Sequence, residues 1–222
     1  MILAVTASNP HPKRRRVTIA FSMLAIFAGL GILPSPLLAG NEPAAGMFLI
    51  ATRDLTGSGF SESVVLIIQH DENGTMGVVI NKPSDIDLTT IVPEVTDNVD
   101  SLLYLGGPVA TNGIMLLIKS ADALNDAVHV FGSIYASGSR DLLVELIEQA
   151  NIESSVRFYA GHAGWSPGQL DNEINRGSWQ VAPASEQMLF SEEPLNIWQQ
   201  LAPPSRPIMV RNNNDVTLSG AL

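Results

Sequence analysis

Ser63–Pro83 reads SVVLIIQHDENGTMGVVINKP. Val64 to Ile68 is an unbroken apolar run, too short to cross a bilayer and suited to a strand buried on both faces. Met76 to Ile80 is a second run of the same kind. Between them lies the turn-forming stretch His70-Asp71-Glu72-Asn73-Gly74-Thr75, in which Asn73-Gly74 supplies the positive φ angles of a tight hairpin. The two runs are expected to pair antiparallel. Asn81-Lys82-Pro83 then stops the second strand, because proline brings no N–H to a ladder.

Outward from the hairpin the chain is a series of short apolar strands cut by glycine and proline. Met47 to Ala51 is a strand, and Asp54 to Gly59 is a loop. Asp87 to Val92 makes a helical turn or two before Pro93. Leu102 to Leu105 is a strand ended by Gly106-Gly107-Pro108, followed by the strand Ile114 to Ile118. Val128 to Ile134 reads as one further strand. Ser139 to Gln149 is the clearest helix: Ser139 caps it, Asp141 lies in its first turn, and Leu142, Leu143, Leu146 and Ile147 share a face. Val156 to Ala160 is a strand. Ser166-Pro167-Gly168-Gln169 has the pattern of a capping box opening a second helix that ends at Gly177. Trp179 to Val181 is a short strand, and Ser185–Phe190 and Pro194–Leu201 are short amphipathic helices. Strands outnumber helices and short loops join them. That spacing predicts an α+β fold with a mixed, mainly antiparallel sheet, not a doubly wound one.

The first forty residues read differently. Lys13-Arg14-Arg15-Arg16 precedes Val17 to Leu33, seventeen residues without a charge, and Pro34-Ser35-Pro36-Leu37-Leu38-Ala39-Gly40 follows. A basic stretch, an apolar core and a helix-breaking exit are the marks of an export signal. An uncleaved anchor through residues 17–33, basic end inside, is the alternative. Residues 1–40 are therefore expected to deliver the protein to the periplasm or hold it in the inner membrane. Residues 41–45 form a linker, 46–202 a single domain, and 203–222 a tail.

Without residues 1–40 the chain keeps eight Lys and Arg against 22 Asp and Glu, a formal charge of −14. The eight are scattered singly, so contact with a phosphate backbone is disfavoured. With no cysteine there is no disulfide, thiolate catalysis or Cys-ligated metal. His70, His129 and His162 lack metal-ligand spacing. No GxSxG elbow or Walker loop occurs, and Gly57 to Glu62 misses the dinucleotide pattern at its last position. The sequence thus nominates no catalytic residue, metal site or cofactor.

Two glycine-containing stretches stand out as candidate binding elements. Gly161-His162-Ala163-Gly164-Trp165-Ser166-Pro167-Gly168-Gln169 is placed between a strand end and a helix start, where backbone N–H groups can hold an anion, Trp165 can cover a ligand and His162 can move a proton. Its plainer reading is a tight connection with Trp165 packed in the core and Ser166 as cap. Gly106-Gly107 is likewise either a turn or backbone brought close to a ligand. The candidate ligand-binding residues are Gly106, Gly107, Gly161, His162, Trp165, Ser166 and Gln169.

These same stretches carry a resemblance. Gly46 to Ala51, the hairpin ending Asn81-Lys82-Pro83, Leu105-Gly106-Gly107-Pro108-Val109, and Trp165 to Leu170 with Glu173-Ile174 and Gly177-Ser178-Trp179 resemble the YqgE/AlgH family, in order and spacing over residues 46–201. The resemblance implies a bifurcated sheet bent into a pseudo-barrel with helices outside. It brings no established reaction or ligand, only the label of transcriptional regulator, and nothing in the sequence resembles a helix-turn-helix. Members usually lack such a leader and are cytoplasmic. They also read Gly-Tyr-Ala-x-Trp where this chain has Gly161-His162-Ala163-Gly164-Trp165. The leading expectation is a non-catalytic binding or regulatory protein of the cell envelope with a protein or small-molecule partner. The alternatives are a hydrolase or ligand-binding enzyme using the loop around His162, and a DNA-associated regulator.

Overall fold

The computed structural model of the protein describes residues 42–55, 57–93, 95, 101–148 and 155–202. The leader, Asn41 of the linker and the tail lie outside them. Among the described residues no helix is long and apolar enough to cross a membrane.

The opening hairpin is β2 (Val64–Asp71) with β3 (Gly74–Val79), preceded by β1 (Met47–Ala51). β2 and β3 pair antiparallel, with Val65 opposite Val79 and His70 opposite Thr75, and a bulge between Ile67 and Gln69. The turn differs in register from the expectation: Glu72-Asn73 is its two-residue loop, and Asp71 Oδ1 accepts from the Asn73 N–H at 2.7 Å. An Asx turn thus supplies the reversal expected of Asn73-Gly74.

After α1 (Leu88–Ile91), capped by Asp87, come β4 (Leu103–Leu105), β5 (Val109–Lys119), β6 (Val128–Phe131) and β7 (Ile134–Ser137). The single strand read over Val128 to Ile134 is a hairpin, reversed at Gly132-Ser133 and running on to Ser137. Its seven residues looked continuous because both arms are apolar. α2 (Arg140–Ile147) starts where the sequence put it, with Ser139 Oγ accepting from Leu142 N at 3.2 Å.

The largest departure is β8 (Val156–Trp165). A strand end and a loop were expected beyond Ala160, but the strand continues through Gly161-His162-Ala163-Gly164 to Trp165. Its first half pairs with β5 antiparallel and β4 parallel, and its last three residues pair with β3. Gly161, at φ +69°, lies just before the change of partners, with His162 still opposite Val109 of β5. α3 (Gln169–Asn175) begins later than expected. Ser166-Pro167-Gly168-Gln169 is a type II turn closed by Gln169 N to Ser166 O at 3.0 Å, with proline second and Gly168 third at φ +70°. Ser166 makes no side-chain cap, although Gln169 Oε1 accepts from the Ser166 N–H at 3.1 Å, as one half of a capping box would. β9 (Trp179–Pro183), α4 (Glu186–Leu189), a 3₁₀ turn (Pro194–Asn196) and α5 (Ile197–Leu201) complete the described chain.

The nine described strands form one sheet in the order β6-β7-β5-β8-β3-β2-β1-β9, with β4 added on β8. Only the β4–β8 pair is parallel, so the architecture is the expected α+β with a mixed, mainly antiparallel sheet. The sheet does not close into a barrel. Its far ends are tied by side chains instead: Glu186, after β9, accepts from Ser133 N and Oγ in the β6–β7 turn and meets Lys119 of β5 at 3.3 Å. Two cores result. Phe48, Ile50, Leu66, Val78, Tyr159 and Trp165 belong to one; α1 and α2 cover the other, around Leu116, Ile118, Val156 and Phe158.

Candidate functional site

Between β4 and β5 the Gly106-Gly107 turn crosses the backbone of β8. Gly106 N donates to Ala160 O and Gly106 O accepts from Val79 N, both at 2.8 Å. A side chain on Gly107, at φ +152°, would overlap the His162 carbonyl. One on Gly161 would stand 2.7 Å from the carbonyl oxygens of Gly107 and Val109. The two glycines meet backbone on backbone, which only residues without a Cβ permit.

Beside this crossing opens a cleft of about 560 Å³. Leu105 ends β4, Gly107 and Pro108 come from the β4–β5 connection and Thr111 from the start of β5; Val79 and Lys82 come from the end of β3, and Gly59 and Phe60 from the loop before β2. Ile86 precedes α1, Ile91 is its last residue, and Ala160 comes from β8. The lining is apolar except for Thr111 and Lys82, a composition and size typical of small-ligand sites. Ile86 and Leu105 each leave 46% of their surface exposed.

Local sequence holds the walls in place. Asn81, 4% exposed, accepts from Val64 N through Oδ1 at 2.8 Å and donates through Nδ2 to Glu62 O at 2.9 Å. It thereby pins the loop carrying Gly59 and Phe60 to the end of β3. Lys82 O accepts from Leu105 N at 2.8 Å, and Pro83 bridges to Tyr104, so the motif that ends β3 also positions β4. Lys82 Nζ donates to Gly59 O at 2.9 Å. Partial burial pulls the Lys82 ammonium below the ordinary lysine range, and the nearby Glu62 carboxylate opposes that pull. Asn81→Ala strands the buried Val64 N–H and is expected to destabilise the domain by about 2–3 kcal/mol. The check is a lower urea midpoint at constant slope; an unchanged midpoint would show that the loop holds itself.

The residues named from sequence divide into two groups. Gly106, Gly107, Gly161 and His162 gather at the crossing, and of these Gly107 lines the cleft. His162 is half-buried and sits opposite Val109 of β5. Trp165, Ser166 and Gln169 belong to a neighbouring cluster around Glu173 of α3. Glu173 Oε2 accepts from Trp165 Nε1 at 2.9 Å and from Trp179 Nε1 at 2.8 Å, and Oε1 accepts from Gln169 Nε2 at 3.0 Å. Partial burial pushes the Glu173 carboxyl up, but hydrogen bonds from Gln169, Trp179 and Trp165, with Arg176 nearby, outweigh it and hold the group below the usual carboxylate range. Phe60 joins the groups: it lines the cleft, stacks on Trp165 at 5.9 Å and meets Trp179 edge-on at 5.7 Å. Sequence reasoning missed Phe60, Lys82, Ile86, Leu105 and Glu173. No local signal gathers them: Lys82 is a single lysine inside a motif otherwise made for a strand end.

The other histidines have local partners. His70 Nδ1 lies 2.7 Å from Thr75 Oγ1, and His129 Nε2 lies 2.9 Å from Gly132 O. Among the described residues no three His, Asp or Glu side chains gather as a metal site would require.

An open, mainly antiparallel sheet with a glycine turn laid across β8 and an apolar cleft beside the crossing defines the class of protein. The sequence profile described as AlgH-like matches residues 48–204. The chain belongs to the AlgH-like family. It is 35% identical over 157 residues to the UPF0301 protein of Chlorobaculum parvum, covering 70% of this chain and 83% of that one. The UPF0301 protein of Parabacteroides distasonis is 33% identical over 159 residues, 71% and 80% of the two chains. Among solved structures, protein DIP2367 of Corynebacterium diphtheriae superposes with a TM-score of 0.61 at 31% identity, over 72% of this chain and 86% of its own. The AlgH protein of Pseudomonas aeruginosa gives 0.60 at 28% identity, over 72% and 88%.

Proposed function

We propose that the protein is a non-catalytic binding and regulatory domain of the cell envelope, which engages a small-molecule or protein partner through the cleft beside the Gly106-Gly107 crossing. The observation that carries this reading is the cleft itself, a pocket of ligand size walled by apolar residues from five separate segments. Solvent-facing apolar side chains such as Ile86 and Leu105 lower the free energy of the domain only when something covers them. Rigid tethers support the same reading: Asn81, the Lys82 backbone and Gly106 hold the walls without a ligand, so ordering them is no cost of binding. The envelope assignment rests on the basic and apolar character of residues 1–40.

The test uses the full chain. An environment-sensitive apolar dye is expected to bind at one site, to be lost from an Ile86→Asp variant, and to bind while ester, phosphate and peptide substrates are left unprocessed. Turnover at enzymatic rates that disappears in His162→Ala would replace this reading with that of a hydrolase. For the compartment, mass spectrometry of fractionated cells is expected to find the protein in the envelope fraction; recovery in the cytosol with Met1 intact would overturn that part.

A further inference from the structure

We infer that the cleft takes an aliphatic carboxylate, a ligand with a hydrocarbon body and a single anionic head, with Lys82 as its counter-ion. This deepens the binding reading and rests on it. The body follows from the walls: Phe60, Val79, Ile91, Leu105 and Pro108 offer hydrocarbon and ring surface with no pattern of donors and acceptors to read a polar skeleton.

The head follows from Lys82. Among the described residues it is the one charged side chain in the lining. Its ammonium has three N–H donors, and the protein takes one of them, through Gly59 O. Glu62 is near enough to raise its basicity, but the two form no direct ion pair. A partly buried cation at the side of an apolar pocket, with one of its three donors taken, favours an anion that brings both charge and acceptor oxygens.

The charge of the head is limited by what surrounds it. A phosphate dianion is best held by several cations or by a run of free backbone N–H groups. Here there is one lysine, and the Gly106 N–H that a glycine turn would present is occupied by Ala160 O. The domain's acidic excess repels a dianion more strongly than a monoanion. A carboxylate matches one ammonium.

The experiment compares decanoate with decanol, which share the hydrocarbon body and differ in the head. Full-length protein is titrated with each by calorimetry, alongside Lys82→Met and Leu105→Asp. Lys82→Met keeps the shape of the stem without its charge, and Leu105 is exposed enough to carry aspartate without disturbing the core. The wild type is expected to prefer decanoate by about ten-fold, the worth of one charge-assisted hydrogen bond. That ratio is expected to fall to about one in Lys82→Met, and decanoate binding to be lost in Leu105→Asp. With lysines ¹³C-methylated, the Lys82 resonance, assigned by its absence from Lys82→Met, is expected to titrate at higher pH when decanoate is bound. Equal binding of the acid and the alcohol by the wild type, or a preference that survives Lys82→Met, would overturn the carboxylate assignment and leave a binding cleft. Failure of both to bind would overturn it together with the binding reading.

Discussion

Gly107→Ala is expected to be among the most destabilising single substitutions in the domain, lowering stability by about 3–5 kcal/mol and the melting temperature by roughly 10–15 °C. Two penalties coincide. At φ +152° the backbone is one that L side chains rarely adopt, and the new methyl would overlap the His162 carbonyl carbon and oxygen and the Ala163 nitrogen. These are backbone atoms of β8, already committed to β5 on one side and β3 on the other, so they cannot swing aside as a side-chain tip would. The turn must lift instead, and lifting it breaks Gly106 N to Ala160 O and Val79 N to Gly106 O. Gly59→Ala is the matched control: it also lines the cleft, carries no positive φ, and would meet nothing within 4 Å. It is expected to stay within about 0.5 kcal/mol of the wild type. Thermal unfolding of the two variants side by side decides the matter, and equal melting temperatures would show that the turn is not seated on β8.

The crossing also explains how far the sequence could be read. Buried strands such as β1, β2 and β3 announce themselves because both faces are covered and the apolar run is continuous between glycine and proline stops. α2 was legible for a similar local reason, since its cap, first-turn acid and apolar face lie within nine residues. The second half of β8 was not. Gly161-His162-Ala163-Gly164 has the composition of a loop, and it is a strand because another backbone, the Gly106-Gly107 turn, lies against it from more than fifty residues away. Pro167-Gly168 likewise satisfies both a helix start and a type II turn, and the strand continuing to Trp165 decides for the turn.

The cleft was less legible than the fold for the same physical reason. Its lining is collected from residues 59–60, 79–82, 86–91, 105–111 and 160, and none of these segments has a periodicity that announces a pocket. Gly107 could be named because a glycine pair before a proline is unusual. Lys82 could not, since a single lysine beside a strand-ending proline acquires meaning only when apolar surface from elsewhere surrounds it. Trp165 was read both as a ligand cover and as core; the structure places it in the core with its indole N–H on Glu173.

That indole pair sets the second large effect. Glu173→Ala is expected to destabilise the domain by about 2–3 kcal/mol, because Trp165 and Trp179, 6% and 4% exposed, would each keep a buried N–H without its acceptor. The partial exposure of Glu173 keeps the figure from being larger, since water can reach its site. Glu173→Gln is expected to lose less, because one amide oxygen at the Oε2 position can still accept from both indoles. The two variants separate further with pH. A carboxyl held below its ordinary value in the folded state binds fewer protons there than in the unfolded chain, so it adds stability above the unfolded value near 4.5. That contribution is lost as pH falls from there through the lower folded value. Glu173→Gln has no carboxyl to protonate, so the gap between it and the wild type is expected to narrow steadily below about pH 4.5 and to be constant above it. Urea midpoints across that range measure the gap, and a gap that does not change with pH would mean that the indoles are held by shape and not by the carboxylate charge. Phe60 stacks on the same indole and lines the cleft, so the dye-binding site is expected to loosen in Glu173→Ala and to persist in Glu173→Gln.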